Sequence, residues 1–274
     1  MPRTTKVDLA PPSFPCDNRA MARNAHPLSA PLSFREMRNR VQNAILLAGL
    51  TMLVSYPMFY YQFARLTGRL FARPPSAAEL QFLALGQALI LFALSLVCAL
   101  VGFLYSERLG LPGFGRPRDL GRWLPLGLGL GLLYAPASFF LLDRDLAALA
   151  SEFRPSPWPF ALARLVGTAL SQEVVARFGL LIIAMYLLRR FKLSRRTWPA
   201  ILALSAFVTC GSWLFLARLE LLPLLSAPQL ALMLASTFAL NWALSEVFLR
   251  YGLIAGISMH LGLNFKTLIY SFWL

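Results

Sequence analysis

An all-α bundle that crosses a membrane about seven times is the fold class this sequence predicts, and three observations predict it. Of its 274 residues 58% are hydrophobic and only 14% are charged, with a mean hydropathy of +0.61. That balance belongs to polytopic membrane proteins. The apolar residues fall into runs of about 20, the length a helix needs to cross the hydrocarbon core. The basic residues sit mostly between those runs, so the net charge of +14 reads as a topology signal and as contact with anionic head groups of the lipid bilayer. It is not read as a nucleic-acid footprint.

Residues 1–40 carry Pro2, Pro11, Pro12, Pro15, Pro27 and Pro31, seven Lys or Arg, and no apolar core of signal-peptide length. They are expected to form a disordered, basic, cytoplasmic tail, not a cleaved signal. Residues 41–274 are expected to form a transmembrane helical domain, with spans at about 41–64, 79–104, 121–142, 160–188, 198–218, 227–248 and 251–273. Pro57, Pro125 and Pro136 fall inside or near the ends of spans, where membrane helices tolerate kinks because neighbouring groups satisfy the freed backbone.

Between spans the Lys and Arg content alternates. It is seven in the tail, three in 65–78, four in 105–122 (Arg108, Arg116, Arg118 and Arg122), two in 143–159 and five in 189–197. The positive-inside rule then predicts a multi-pass protein of the cell membrane with a cytoplasmic N-terminus and, after seven crossings, an external C-terminus.

The stretch from Tyr105 to Trp123, with Gly110, Pro112, Gly113, Gly115 and Pro117, reads as a short cytoplasmic turn region. Gly127, Gly129 and Gly131 follow it inside the third span. No strand followed by Gly-Lys-Ser or Gly-Lys-Thr accompanies them, so close helix packing explains them better than a phosphate loop does. Cys16, Cys98 and Cys210 form no even framework, and His26 and His260 are the two histidines. No disulfide scaffold, no metal site and no cofactor is predicted from such an inventory.

Chemistry is expected where ionisable groups enter apolar spans, because such groups are expensive there unless they serve each other or a function. Glu173 and Arg177 stand four residues apart in the fourth span and meet on one helix face. Polar side chains recur in the later spans: Thr209 and Ser212, then Asn241 and Glu246, then His260 and Asn264, the last two again four apart. The bland reading of each is a packing hydrogen bond or ion pair between helices.

Three segments in order carry a resemblance: Gln172-Glu173-Val174-Val175-Ala176-Arg177, Phe207-Val208-Thr209-Cys210-Gly211, and His260-Leu261-Gly262-Leu263-Asn264. The approach Leu249 to Ile257 and the turn containing Arg108, Gly110 and Arg116-Pro117-Arg118-Asp119 fit the same pattern. Together they resemble the CAAX protease and bacteriocin-processing family of intramembrane endopeptidases, over about residues 80–274 and most firmly over 165–274. The resemblance implies a protease-like core at about 160–274, with Glu173, His260 and Asn264 as its catalytic set and Gln172 and Arg177 in support.

In that family the first Glu of a Glu-Glu-x-x-x-Arg motif is taken to activate a water, and a His in a Phe-x-x-x-His motif helps to position it. This chain has Gln172 and Gly211 at those two places. A glutamine amide cannot accept a proton, and general-base help is worth a factor of about a hundred to ten thousand. Glycine offers nothing to a developing oxyanion, a loss of similar order. An Arg177 partner would also hold the charge of Glu173 and weaken it as a substitute base, and Glu246, with Arg250 four residues on, reads as a helix-end pair.

The leading expectation is therefore a degenerate member that binds a membrane-anchored peptide or protein, or a partner protease, in the old substrate cavity. Restoring Gln172→Glu and Gly211→His is expected to gain proteolysis. The alternative is an active peptidase cutting near a transmembrane or lipidated C-terminal segment. A small transporter comes third, since only the five-position pattern shared by Glu173–Arg177 and Glu246–Arg250 resembles an internal repeat.

Overall fold

The computed structural model describes residues 33–70, 73–140, 144, 156–193, 196–218 and 222–273, without the side chains of 66–70 and 272–273. Most of the expected tail, 1–32, lies outside the described residues, as do the loop arginines Arg154 and Arg195. Every regular element among the described residues is helical. The elements are α1 (Phe34–Leu70), α2 (Ala77–Tyr105), α3 (Arg118–Ser138), α4 (Trp158–Gln172), a π-helical segment (Glu173–Leu181), α5 (Ile182–Arg190), α6 (Trp198–Arg218), α7 (Ala227–Tyr251), α8 (Leu253–Leu263) and α9 (Lys266–Trp273), with single 3₁₀ turns at Glu107–Leu109 and Leu222–Leu224. The expected boundary of the tail is corrected by several residues, because α1 already begins at Phe34.

Three helices start on the same local chemistry. Ser33 with Glu36, Ser76 with Glu79, and Ser226 with Gln229 each exchange two hydrogen bonds. The serine hydroxyl accepts from the backbone N–H three residues on, and that residue's side chain accepts from the serine N–H. Two of the N–H groups that have no partner inside the helix are satisfied at each start.

Among the described residues, five helices are long and apolar enough to cross a membrane: Phe34–Arg65, Ala77–Tyr105, Trp158–Arg190, Trp198–Arg218 and Ala227–Tyr251. Although Ala77–Tyr105 is the most apolar of them, only 28% of its core stretch is buried against the rest of the chain. So much outward-facing apolar surface fits a hydrocarbon surround, because water would penalise it. Two of the seven expected spans differ. The third corresponds to α3, 21 residues long, whose glycines, two prolines, Arg118, Asp119 and Arg122 dilute its apolarity below that of the five. The seventh is not one helix: it breaks at Asn264 and Phe265 into α8, of 11 residues, and α9, of 8.

Helix ends come together at one pole of the bundle. Arg40, early in α1, donates to the Phe103 carbonyl near the end of α2 and pairs with Glu107. Arg189, at the end of α5, donates to the Leu109 carbonyl at 2.9 Å. The Gly113 and Phe114 carbonyls accept from the N–H groups of Leu253 and Ile254, each at 3.0 Å, and so cap the first turn of α8. Gly252 links α7 to α8 at φ +91°, a backbone region that glycine enters without strain.

Small residues set the two tightest helix contacts. A Cβ at Gly127 would come within 2.4 Å of the Met259 carbonyl, and one at Gly131 within 2.5 Å of the Gly262 carbonyl, so α3 and α8 touch backbone to backbone. Gly129 looks into open space. The packing expectation therefore holds for Gly127 and Gly131, four residues apart on one face, and not for Gly129. Across the bundle, Phe178 of the π segment sits edge-on to Phe103 and Phe248 and presses on Gly102. Beside it Gly179 admits Cys98 of α2.

Candidate functional site

The packing of the π segment against α2 drives one turn of polar side chains into the centre of the bundle. Glu173 is 0% exposed and Arg177 1%. Their side chains meet at 3.0 Å, Arg177 Nη1 to Glu173 Oε1, as the four-residue spacing requires. A π-helix widens the turn and occurs often at functional sites. Here it carries both members of the pair.

Two further helices complete the cluster. His260 of α8, 6% exposed, places Nδ1 2.8 Å from the same Glu173 Oε1. With an ionised carboxylate as the acceptor, the Nδ1–H is the donor of this bond. Arg177 Nη2 donates to Asn241 Oδ1 of α7. Asn241 Nδ2 in turn donates to the Thr237 carbonyl at 2.8 Å, which fixes the amide's orientation. The carboxylate and the guanidinium offset one another, as ions buried in a low-dielectric interior must.

Room for the carboxylate comes from Gly256, one turn before His260 on α8. A Cβ there would stand 2.7 Å from Glu173 Oε2. Glu173 Oε2 and Arg177 Nε make no hydrogen bond among the described residues, so the cluster is not fully satisfied in hydrogen bonding.

The structure brings some of the expected site residues together and separates others. Glu173, Arg177 and His260 form one cluster. Asn264 closes α8 one turn beyond His260 and directs Nδ2 to Thr168 Oγ1 at 3.4 Å, not to Glu173. Gln172 is exposed although its neighbour Glu173 is buried. On α6, Phe207 is 66% exposed, and a Cβ at Gly211 would meet nothing within 4 Å. Thr209 and Ser212 hydrogen-bond carbonyls of their own helix, Ser205 at 2.8 Å and Val208 at 3.1 Å. Glu246 pairs with Arg250 at 3.1 Å and stays outside the cluster, as the helix-end reading expects.

The motif order left out Asn241, Gly256 and Thr168. Gly256 had a signal, since it lies four residues before His260 and shares its face. Asn241 had only its polarity in an apolar span.

As chemistry, the cluster can hold one helix against two others and keep a carboxylate ionised out of water. Among the described residues, no group of three or more His, Cys, Asp and Glu side chains is close enough to hold a metal ion. No family model, no curated protein and no solved structure matches the chain.

Proposed function

We propose that this chain is an integral membrane protein with an intramembrane-protease-like arrangement, and that it binds a membrane-anchored peptide or a partner protease without cutting peptide bonds itself. The single observation that carries this reading is the closure around Glu173. Its Oε1 is occupied by both Arg177 and His260, and the side chain is fully buried. A general base has to face a water that faces substrate, and a carboxylate locked by a guanidinium serves that role poorly. The exposure of Gln172 and Gly211 adds support. Contrary to the expectation from motif order, Gln172→Glu with Gly211→His is not expected to rebuild a catalytic centre, because neither position lies among the buried polar groups.

One observation favours the second reading, an active endopeptidase. His260 lies 2.8 Å from Glu173 Oε1, and Oε2 accepts nothing from the described residues, so a dyad and a free acceptor oxygen coexist.

A single experiment separates the two. Purified protein in lipid vesicles is mixed with a fluorescent peptide carrying an apolar transmembrane segment and a lipidated C-terminal cysteine. Binding is followed by anisotropy, and new peptide ends by mass spectrometry. The proposal expects saturable binding and no new ends. Cleavage by the wild-type protein that Glu173→Gln and His260→Ala both abolish, at unchanged protein level, overturns it.

A further inference from the structure

The basic pole of the bundle holds a cleft of about 730 Å³ between the α2–α3 connection, the start of α3 and the end of α7. Arg116, Arg118, Arg122 and Arg250 line it together with Asp119 and Tyr251. Four guanidiniums thus converge against one carboxylate, and that carboxylate is already engaged, since Asp119 Oδ2 accepts from the Arg116 backbone N–H at 3.1 Å. Arg250 is partly offset by Glu246, 3.1 Å away. Among the described residues no carboxylate pairs with the side chains of Arg116, Arg118 or Arg122. Like charges held this close repel one another unless an anion joins them.

The walls of the cleft are fixed. Gly113 and Gly115 lie at φ +62° and +85°, and a Cβ at Gly115 would come within 2.6 Å of the Tyr251 carbonyl. The two hydrogen bonds from Leu253 and Ile254 tie the same connection to α8. Arg122 lies over the rings of Trp123 and Tyr251, 5.5 and 5.4 Å from their centroids, which limits where its guanidinium can go. Arginine presents a planar fork of donors that matches phosphate oxygens, and less binding energy is lost when the fork is held in advance. The volume suits a small ligand, and the cleft sits where apolar helices end.

We propose that this cleft binds a phosphate-bearing anion, presented as the head group of an anionic membrane lipid or as a soluble phosphate compound. The reading is independent of what the Glu173 cluster does. A bound phosphate bridges the α2–α3 connection, α3 and α7 around Gly252, the residue from which α8 departs.

The test uses the full chain purified in a neutral detergent, and reads the shift of thermal unfolding against concentration of three probes. The probes are a short-chain phosphatidylglycerol, the phosphatidylcholine of the same chain length, and glycerol phosphate. A ligand of the folded state raises the melting temperature in proportion to the logarithm of its concentration. Stabilisation by phosphatidylglycerol alone identifies a lipid head group, and stabilisation by glycerol phosphate as well identifies a soluble phosphate. Arg116→Gln with Arg118→Gln, both exposed positions, is expected to weaken the effective probe at least tenfold, and the corresponding double lysine variant less. Arg190→Gln with Lys192→Gln, at exposed positions outside the cleft lining, is expected to leave it within twofold. No stabilisation by either anionic probe overturns the proposal. So does an equal loss in the Arg190 and Lys192 variant, which would reduce the effect to general surface charge.

Discussion

Glu173 decides how the centre of this molecule is built, and the residues around it divide into those that sequence spacing reveals and those it does not. The pairing with Arg177 follows from four residues on a helix in an apolar run, and the structure has it at 3.0 Å. His260 is 87 residues away in sequence, and no periodicity connects such positions. The motif order grouped His260 and Asn264 with Glu173, and the structure puts His260 beside Glu173 and turns the Asn264 amide to Thr168. Adjacent helical residues point about 100° apart, and here Glu173 faces the cluster while Gln172 is exposed. Gly256 gives the sharpest prediction at this scale. Gly256→Ala places a methyl group 2.7 Å from Glu173 Oε2 and forces the carboxylate away from His260. A loss of about 1–3 kcal/mol is expected from overpacking, read as a lower melting temperature of the purified protein. An unchanged melting temperature would mean that the carboxylate moves freely and the cluster is loose.

At the level of elements, helix existence was legible because apolar runs of spanning length leave little alternative, whereas the starts of α1, α2 and α7 lie at Ser-x-x-Glu and Ser-x-x-Gln pairs that apolar content passes over. The break at Asn264 had a signal that span length passed over, since Asn264, Lys266 and Thr267 interrupt the apolar run there. The π-helical turn was hidden, because it answers to what packs on it: Cys98 against Gly179 and Gly102 against Phe178. Between α3 and α8 the spacing of Gly127 and Gly131 did reveal a packing face, and Gly129 supplies its control. Gly131→Val is expected to destabilise by about 1–3 kcal/mol. Gly129→Ala, which adds a methyl group in open space, is expected to be neutral or to gain up to about 1 kcal/mol of helix propensity. Equal effects of the two substitutions on thermal unfolding would show that α3 and α8 are not in backbone contact.

At the scale of the whole molecule, the basic turns and the cluster belong to one design. The loops rich in arginine gather at one pole, where the starts of α1 and α3 meet the ends of α2, α5 and α7. From this pole α8 re-enters the bundle and delivers His260 to Glu173. The cluster thus ties the π segment to α7 and α8, and in the function proposed above it serves packing and not hydrolysis.

That claim is tested most directly by the coupling between Glu173 and Arg177, measured from the thermal unfolding of the purified wild-type protein, Glu173→Gln, Arg177→Met and the double variant. Removing one partner of a buried pair costs about 3–5 kcal/mol, because the other charge is left uncompensated. Replacing both removes that penalty, and the cycle isolates it. Two strongly destabilised single variants are expected, with a double variant that recovers most of the loss. Single variants that melt with the wild type would contradict that claim, and Glu173 would then have to be sought in chemistry instead of in packing.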